Sequence, residues 1–258
     1  MPALLQVDGL SRHFGGVRAV DDVSFAVDEG EIVGLIGPNG AGKTTVINLL
    51  SGLLRPTAGS VTFAGARLYR LPPHRIARAG VARTFQNIRL FRGLSALDNV
   101  IVGTHVTTGA PFAARLVFAP SARREEEAAR ATAQRLLERV GLGARAAEAQ
   151  SRATSLPYGE QRRLEIARAL AARPRLLLLD EPAAGMNPAE METLVALIRS
   201  LAHEGQTILL IEHNMQVVMG VCDRIVVLNF GRKIAEGPPA QVSRDRDVIA
   251  AYLGEEEG

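Results

Sequence analysis

A chain of 258 residues, 47% hydrophobic and 22% charged, can bury one large α/β core; this excludes a disordered chain and leaves little room for two unrelated full domains. Its formal net charge of +3 is small, and the basic residues are spread along the chain rather than clustered, so no nucleic-acid partner is expected. The longest apolar runs, Leu176 to Leu179 and Thr207 to Ile211, fall far short of the ~18–20 residues that a membrane-spanning helix needs.

The opening MPALLQVDGL lacks the basic, apolar and small-residue succession of an export signal, so the cytosol is the expected compartment. Short β-rich runs then come at Leu4 to Val7, Val20 to Val27 and Ile32 to Ile36. A helix is predicted from Lys43 to about Leu54, where Arg55-Pro-Thr-Ala-Gly59 supplies turn residues. Between about Asn99 and Ser155 strand signals fade. A Gly/Pro-punctuated piece at Gly109 to Pro120 precedes SARREEEAARATAQRLLERVGL, in which Ala128, Ala131, Leu136, Leu137 and Val140 recur at helical spacing. A helical subdomain inserted into an α/β core is therefore expected. Further buried-type strands are Leu176 to Leu179, Thr207 to Ile211 and Arg224 to Leu228. Such continuous apolar runs alternating with helices indicate parallel strands covered on both faces. The single cysteine, Cys222, reads as a small buried apolar residue near a strand, and the closing EEEG as a solvated end.

Gly37-Pro38-Asn39-Gly40-Ala41-Gly42-Lys43-Thr44-Thr45 fits G-x-x-x-x-G-K-[ST] and sits between an apolar strand and a helix. A loop that wraps a phosphate must turn successive N–H groups inward at close range, which side chains obstruct, and the following helix adds its unpaired N–H groups and positive dipole end. Lys43 is expected to neutralise β- and γ-phosphate oxygens, and the Thr44 hydroxyl is a hard ligand suited to Mg²⁺. Much later, Leu176-Leu-Leu-Leu-Asp180-Glu181 ends an apolar strand in two acids. In a parallel sheet that end faces the crevice of the phosphate loop. Asp180 is then expected to hold Mg²⁺ and Glu181 to act as general base on water. His213, after the strand Thr207 to Ile211, could donate to a γ-phosphate oxygen as charge develops there.

In this order, with RTFQNIRLF at 83–91 and LPYGEQRRLEIARAL at 156–170, the residues resemble the ATP-binding subunits of ATP-binding-cassette (ABC) transporters over nearly the whole chain. The resemblance implies a single cassette domain, 1–258, with a phosphate-loop core of mainly parallel strands, an antiparallel β part on its N-terminal side and a helical subdomain at 99–172. It implies that Gln86 contacts Mg²⁺ and water, that Phe14 stacks on adenine, and that Tyr158, Gly159 and Glu160 meet the ATP held by a second cassette. The signature departs from the usual LSGGQ at Pro157, Tyr158 and Glu160, and Asn187 stands where SALDP has its aspartate. Within the family the chain is most similar to the ATPases of branched-chain (hydrophobic) amino acid importers, on RTFQNIRLF, the segment before the signature, EPAAGMNP and the tail Asp247 to Gly254. Urea and lipopolysaccharide cassettes are similar too. The implied cofactors are ATP and Mg²⁺; the implied partners are transmembrane permease subunits, a second identical or sister ATP-binding subunit and, indirectly, a solute-binding protein, at the cytoplasmic face of the membrane. An ATP-gated binding module with weak hydrolysis is the alternative from another class.

Overall fold

The computed structural model describes residues 3–68, 71–106, 120–143 and 152–253. The Gly/Pro-punctuated piece expected before Pro120, Gly254 and the closing EEEG lie outside them. The chain divides into two units, 1–83 with 175–258, and 84–174.

In the first unit β1 (Leu5–Phe14), β2 (Val17–Val27), β4 (Ala58–Phe63) and β5 (Ala66–Arg67) form an antiparallel sheet in the order β2-β1-β4-β5. A second sheet runs β10-β9-β3-β8-β7-β6, from β3 (Ile32–Ile36), β6 (Val81–Arg83), β7 (Leu176–Asp180), β8 (Thr207–Ile211), β9 (Arg224–Asn229) and β10 (Arg232–Gly237). Every pairing in it is parallel except β9 with β10. Strands β3, β7 and β8 are buried at every position, which explains their unbroken apolar sequences.

Helix α1 (Lys43–Leu50) lies between the sheets: Val46, Ile47 and Leu50 share one core with Leu5, Val7 and Phe25 of the first sheet and Val33, Leu35, Leu178, Leu209 and Ile211 of the second. The helix ends at Leu50, four residues before the predicted stop. Ser51 caps it, its N–H donating to Ile47 O at 2.9 Å, and Gly52 turns the chain at φ 73°. Strands β1 and β2 run longer than predicted because half of each faces outward, and a reading of apolar runs detects only the buried half.

In the second unit α3 (Ala96–Thr104), α4 (Pro120–Arg139) and α5 (Tyr158–Ala171) pack on one another; α2 (Pro73–Arg78) belongs to the first. The inward stripe of α4 is Ala133 and Leu137, continued by Val140, while Ala128 and Ala131 are exposed and Leu136 is half-buried. The predicted phase of this helix is therefore corrected: alanine carries too little apolar area to set a helix face, and the larger Leu137 and Val140 decide it. The first unit closes with α6 (Pro188–His203), α7 (Met215–Val221), α8 (Pro239–Val242) and α9 (Arg246–Leu253).

Candidate nucleotide site

The loop between β3 and α1 is shaped by glycines where nothing else fits. Gly37 has φ 148° and Gly42 φ 100°, conformations that L side chains rarely adopt. A Cβ on Gly37 would collide with the Leu228 carbonyl oxygen, and one on Gly42 with that of Ala19. The bare backbone is thus wedged between β9 and β2, leaving the N–H groups at the start of α1 turned toward the loop. Lys43 is buried, and its Nζ donates to Gly37 O at 2.5 Å and Pro38 O at 2.7 Å. Its ammonium therefore sits inside the loop. Pro38 is buried, Asn39, Gly40 and Thr44 are exposed, and Thr45 is half-buried.

Strand β7 ends two strands away, with β8 between, so the carboxyl ends of all three lie within about 10 Å on one side of the sheet. Asp180 is 4% exposed. Its Oδ2 accepts from Arg83 Nη2 at 2.8 Å, and Arg83 Nη1 donates to Asn48 Oδ1 at 2.7 Å and Ser51 Oγ at 2.9 Å. Arg83 thereby ties the acid to α1 behind the phosphate loop. Glu181 leaves the strand with φ 46°, a left-handed conformation uncommon for a residue with a side chain. Its N–H donates to Ile211 O at 2.9 Å, which turns the carboxylate toward the end of β8. There His213 Nδ1 lies 3.6 Å from Glu181 Oε2.

Glu212, fully buried, fastens the two strand ends together. One oxygen accepts from Ala183 N at 2.7 Å, the other from His213 N at 3.0 Å and Asn214 N at 3.1 Å. Neither Glu212 nor Arg83 stands out from the sequence as a site residue. The available signal is an acid beside the histidine and an arginine three residues before Gln86, and neither is a motif on its own.

Phe14 ends β1 at the hairpin tip, 44% exposed, with the Arg12 guanidinium 4.5 Å from its ring centroid. Cys222 is buried, and that burial, above all other influences, pushes its thiol up to about 12, which disfavours the thiolate form that a nucleophile needs. A Cβ on Gly34 would strike its Sγ; the thiol fills the space behind β3.

The remaining expected residues belong to the second unit. Gln86 is exposed, and its carbonyl accepts from Arg162 Nη2 at 2.6 Å. Tyr158, the first residue of α5, is 42% exposed, Gly159 is buried and Glu160 half-buried.

A glycine cradle with an inward lysine, facing two acids and a histidine at the ends of parallel strands, defines a site for a nucleoside triphosphate. Residues 20–184 match the family model for ABC transporters, and residues 232–258 that for the branched-chain amino acid ATP-binding cassette transporter. The chain belongs to the ABC transporter family, as an ATP-binding cassette. It is 49% identical to the high-affinity branched-chain amino acid transport ATP-binding protein BraF of Pseudomonas aeruginosa, over 98% of both chains. It is 48% identical to LivG of Escherichia coli (strain K12), which carries the same description, again over 98% of both. The lipopolysaccharide export system ATP-binding protein LptB of Haemophilus influenzae is 35% identical over 98% of each chain. Among solved structures, the ADP conformation of an ATP-binding cassette of an ABC transporter superposes with a TM-score of 0.84 at 29% identity, covering 98% of this chain and 100% of that one. A dimeric bacterial ABC transporter cassette matches with a TM-score of 0.77 at 26% identity, over 91% of this chain and 98% of that one.

Proposed function

We propose that this chain is the ATP-hydrolysing motor of an importer for branched-chain or other hydrophobic amino acids. One observation carries the chemistry: Glu181 and His213 meet at 3.6 Å past the ends of neighbouring parallel strands, β7 and β8, which lie two strands and one strand from the phosphate-loop strand β3. The near full-length likeness to BraF and LivG supports the cargo.

The glycine loop and the start of α1 receive the triphosphate, with Lys43 set against its β- and γ-oxygens, and Phe14 stacks on the adenine. Glu181 orients a water and takes its proton, while His213 donates to the γ-phosphate oxygen on which charge grows. A carboxylate held in place by Arg83 and a hydroxyl on the first turn of α1 are hard oxygen donors that fit Mg²⁺. Asp180 and Thr44 would hold the ion; for the Gln86 side chain as a further ligand only the family resemblance speaks. When bound, such an ion would supply electrostatic stabilisation of the phosphoryl group.

Tyr158, Gly159 and Glu160 present the start of α5 to the ATP held by a second cassette, identical or a sister subunit. ATP then favours the closed pair, and hydrolysis with phosphate release reopens it. The difference in affinity between the two states is the free energy passed to the transmembrane permease subunits. No described helix is long and apolar enough to cross a membrane. Attachment at the cytoplasmic face through those subunits, with a solute-binding protein as the indirect partner, belongs to the same proposal and is supported by the likeness to transport ATP-binding proteins. The helical subdomain, read at 99–172 within a single 1–258 cassette, carries the contact.

Replacing Glu181 by Gln tests the motor. Turnover is expected to fall by about 10²–10⁴-fold while an ATP-bound dimer accumulates; unchanged turnover would leave only an ATP-gated binding module. For the cargo, leucine uptake by the reconstituted transporter is the measurement. ATPase activity stimulated by lipopolysaccharide or urea, but not by leucine with its binding protein, would favour the second reading, for which the likeness to LptB speaks.

A further inference from the structure

From Thr84 to Leu94 the chain has neither helix nor strand, yet its backbone is gripped by side chains of the helices around it. Arg162 Nη1 donates to Phe85 O at 2.5 Å and Arg162 Nη2 to Gln86 O at 2.6 Å. Arg89 N donates to Glu165 Oε1 at 3.2 Å, and Arg89 O accepts from Arg168 Nη1. Phe91 N donates to Asn99 Oδ1 at 2.8 Å, and Phe91 O accepts from Asn99 Nδ2 at 3.1 Å. Arg162, Glu165 and Asn99 are all fully buried or within 1% of it.

Burying an arginine beside a glutamate, here 3.2 Å apart, adds little stability over apolar packing of the same volume. Burial pushes the Glu165 carboxyl up, against the pull of the Arg89 N–H, Arg162 and Arg168. What apolar side chains cannot do is hold two successive carbonyls in place, and the planar fork of a guanidinium suits that task. Arg162 Nη2 also donates to the Tyr158 hydroxyl at 3.1 Å, with the guanidinium 5.8 Å from that ring's centroid. A single buried side chain thus joins the exposed start of α5 to the peptide that carries Gln86.

We propose that Arg162 is a positioning residue for Gln86 and that its bond to the Tyr158 hydroxyl couples contacts made at the start of α5 to the Gln86 backbone. It rests on the reading that Gln86 and Tyr158 both serve bound ATP. It also gives the tyrosine that replaces a signature glycine a role: its hydroxyl is the outer end of the strut.

The test uses the assembled transporter with Arg162→Lys and Tyr158→Phe, measuring ATPase kinetics and backbone hydrogen exchange. Lysine keeps the charge but cannot span both carbonyls. Exchange across 85–91 is expected to quicken by roughly tenfold or more while that of α6 stays as in wild type. kcat should fall by about 10–100-fold with KM for ATP within about twofold, the pattern of a misplaced group rather than a lost binding contact. Tyr158→Phe should give the same local exchange change at smaller amplitude, and it decides the matter if Arg162→Lys does not fold. Unchanged exchange across 85–91, or a uniform rise over 84–174 with kcat and KM shifting together, overturns the proposal. A wild-type complex that does not hydrolyse ATP would instead sink the motor reading, while the exchange data would still report on the strut.

Discussion

The phosphate crevice of the first unit and the Gln86 segment of the second are built on opposite plans. In the crevice the geometry comes from backbone: glycines pressed against the carbonyls of Leu228 and Ala19, and acids and a histidine carried on the ends of fully buried strands. Around Gln86 the backbone is irregular, and buried side chains of α3 and α5 hold it. A backbone-built site is stiff because moving it means moving the sheet. A side-chain-built one can shift when its side chains change partners, which suits the role proposed for Gln86.

Gly37→Ala is the sharpest way to break the first plan. The new methyl group meets a backbone carbonyl that cannot swing aside, so ATP affinity in a fluorescence titration is expected to fall by ~100-fold or more, with the folded structure retained by circular dichroism. Arg162→Met addresses the second plan. It leaves Glu165 buried without its nearest cation and should cost roughly 3–5 kcal/mol in urea unfolding. ATP binding at the intact phosphate loop should change far less than stability does.

Arg83 blurs the contrast, since here the first unit also leans on a buried arginine. Arg83→Lys retains the charge near Asp180 but gives up the simultaneous bonds to Asn48 and Ser51. Apparent Mg²⁺ affinity, from isothermal titration of ADP with the metal, is expected to drop ~10–100-fold, and metal-free nucleotide binding to stay near wild type.

The smallest effect is one of pH. The Glu165 carboxyl is raised in the folded state above its ordinary value of 4.5, so the folded chain holds a proton there more readily than the unfolded chain. The stability this contributes is complete below pH 4.5 and is lost as pH rises through the folded value. Unfolding free energies of wild type and Glu165→Gln, compared from pH 4 upward, should therefore diverge against wild type across that window and run parallel above it. Parallel profiles throughout would show that the carboxyl does not carry the burial cost.

Much of the first plan is legible in the order of residues alone. The motif from Gly37 to Thr45, the acids Asp180 and Glu181 and the strands around them are local patterns, because each depends on consecutive residues in one element. The inward phase of α4 is less legible: alanines at 128 and 131 have helical spacing, but they stay exposed while Ala133 and Leu137 turn inward. Arg83, Glu212 and Arg162 are not legible as site residues at all. An arginine or glutamate in a sequence reads as a solvated charge until the fold buries it.

The amino-acid order by itself determined the parallel α/β core, the triphosphate loop and the family, since apolar runs, glycine placement and motif spacing are properties of neighbouring residues. Only the tertiary structure decided which charges would be taken out of water and whom they would meet. Arg83 reaches Asp180 across 97 positions, and Arg162 reaches Gln86 across 76. Such pairs exist because packing brings distant elements within a few ångströms, and the cost of burying a charge then obliges each one to find its partner.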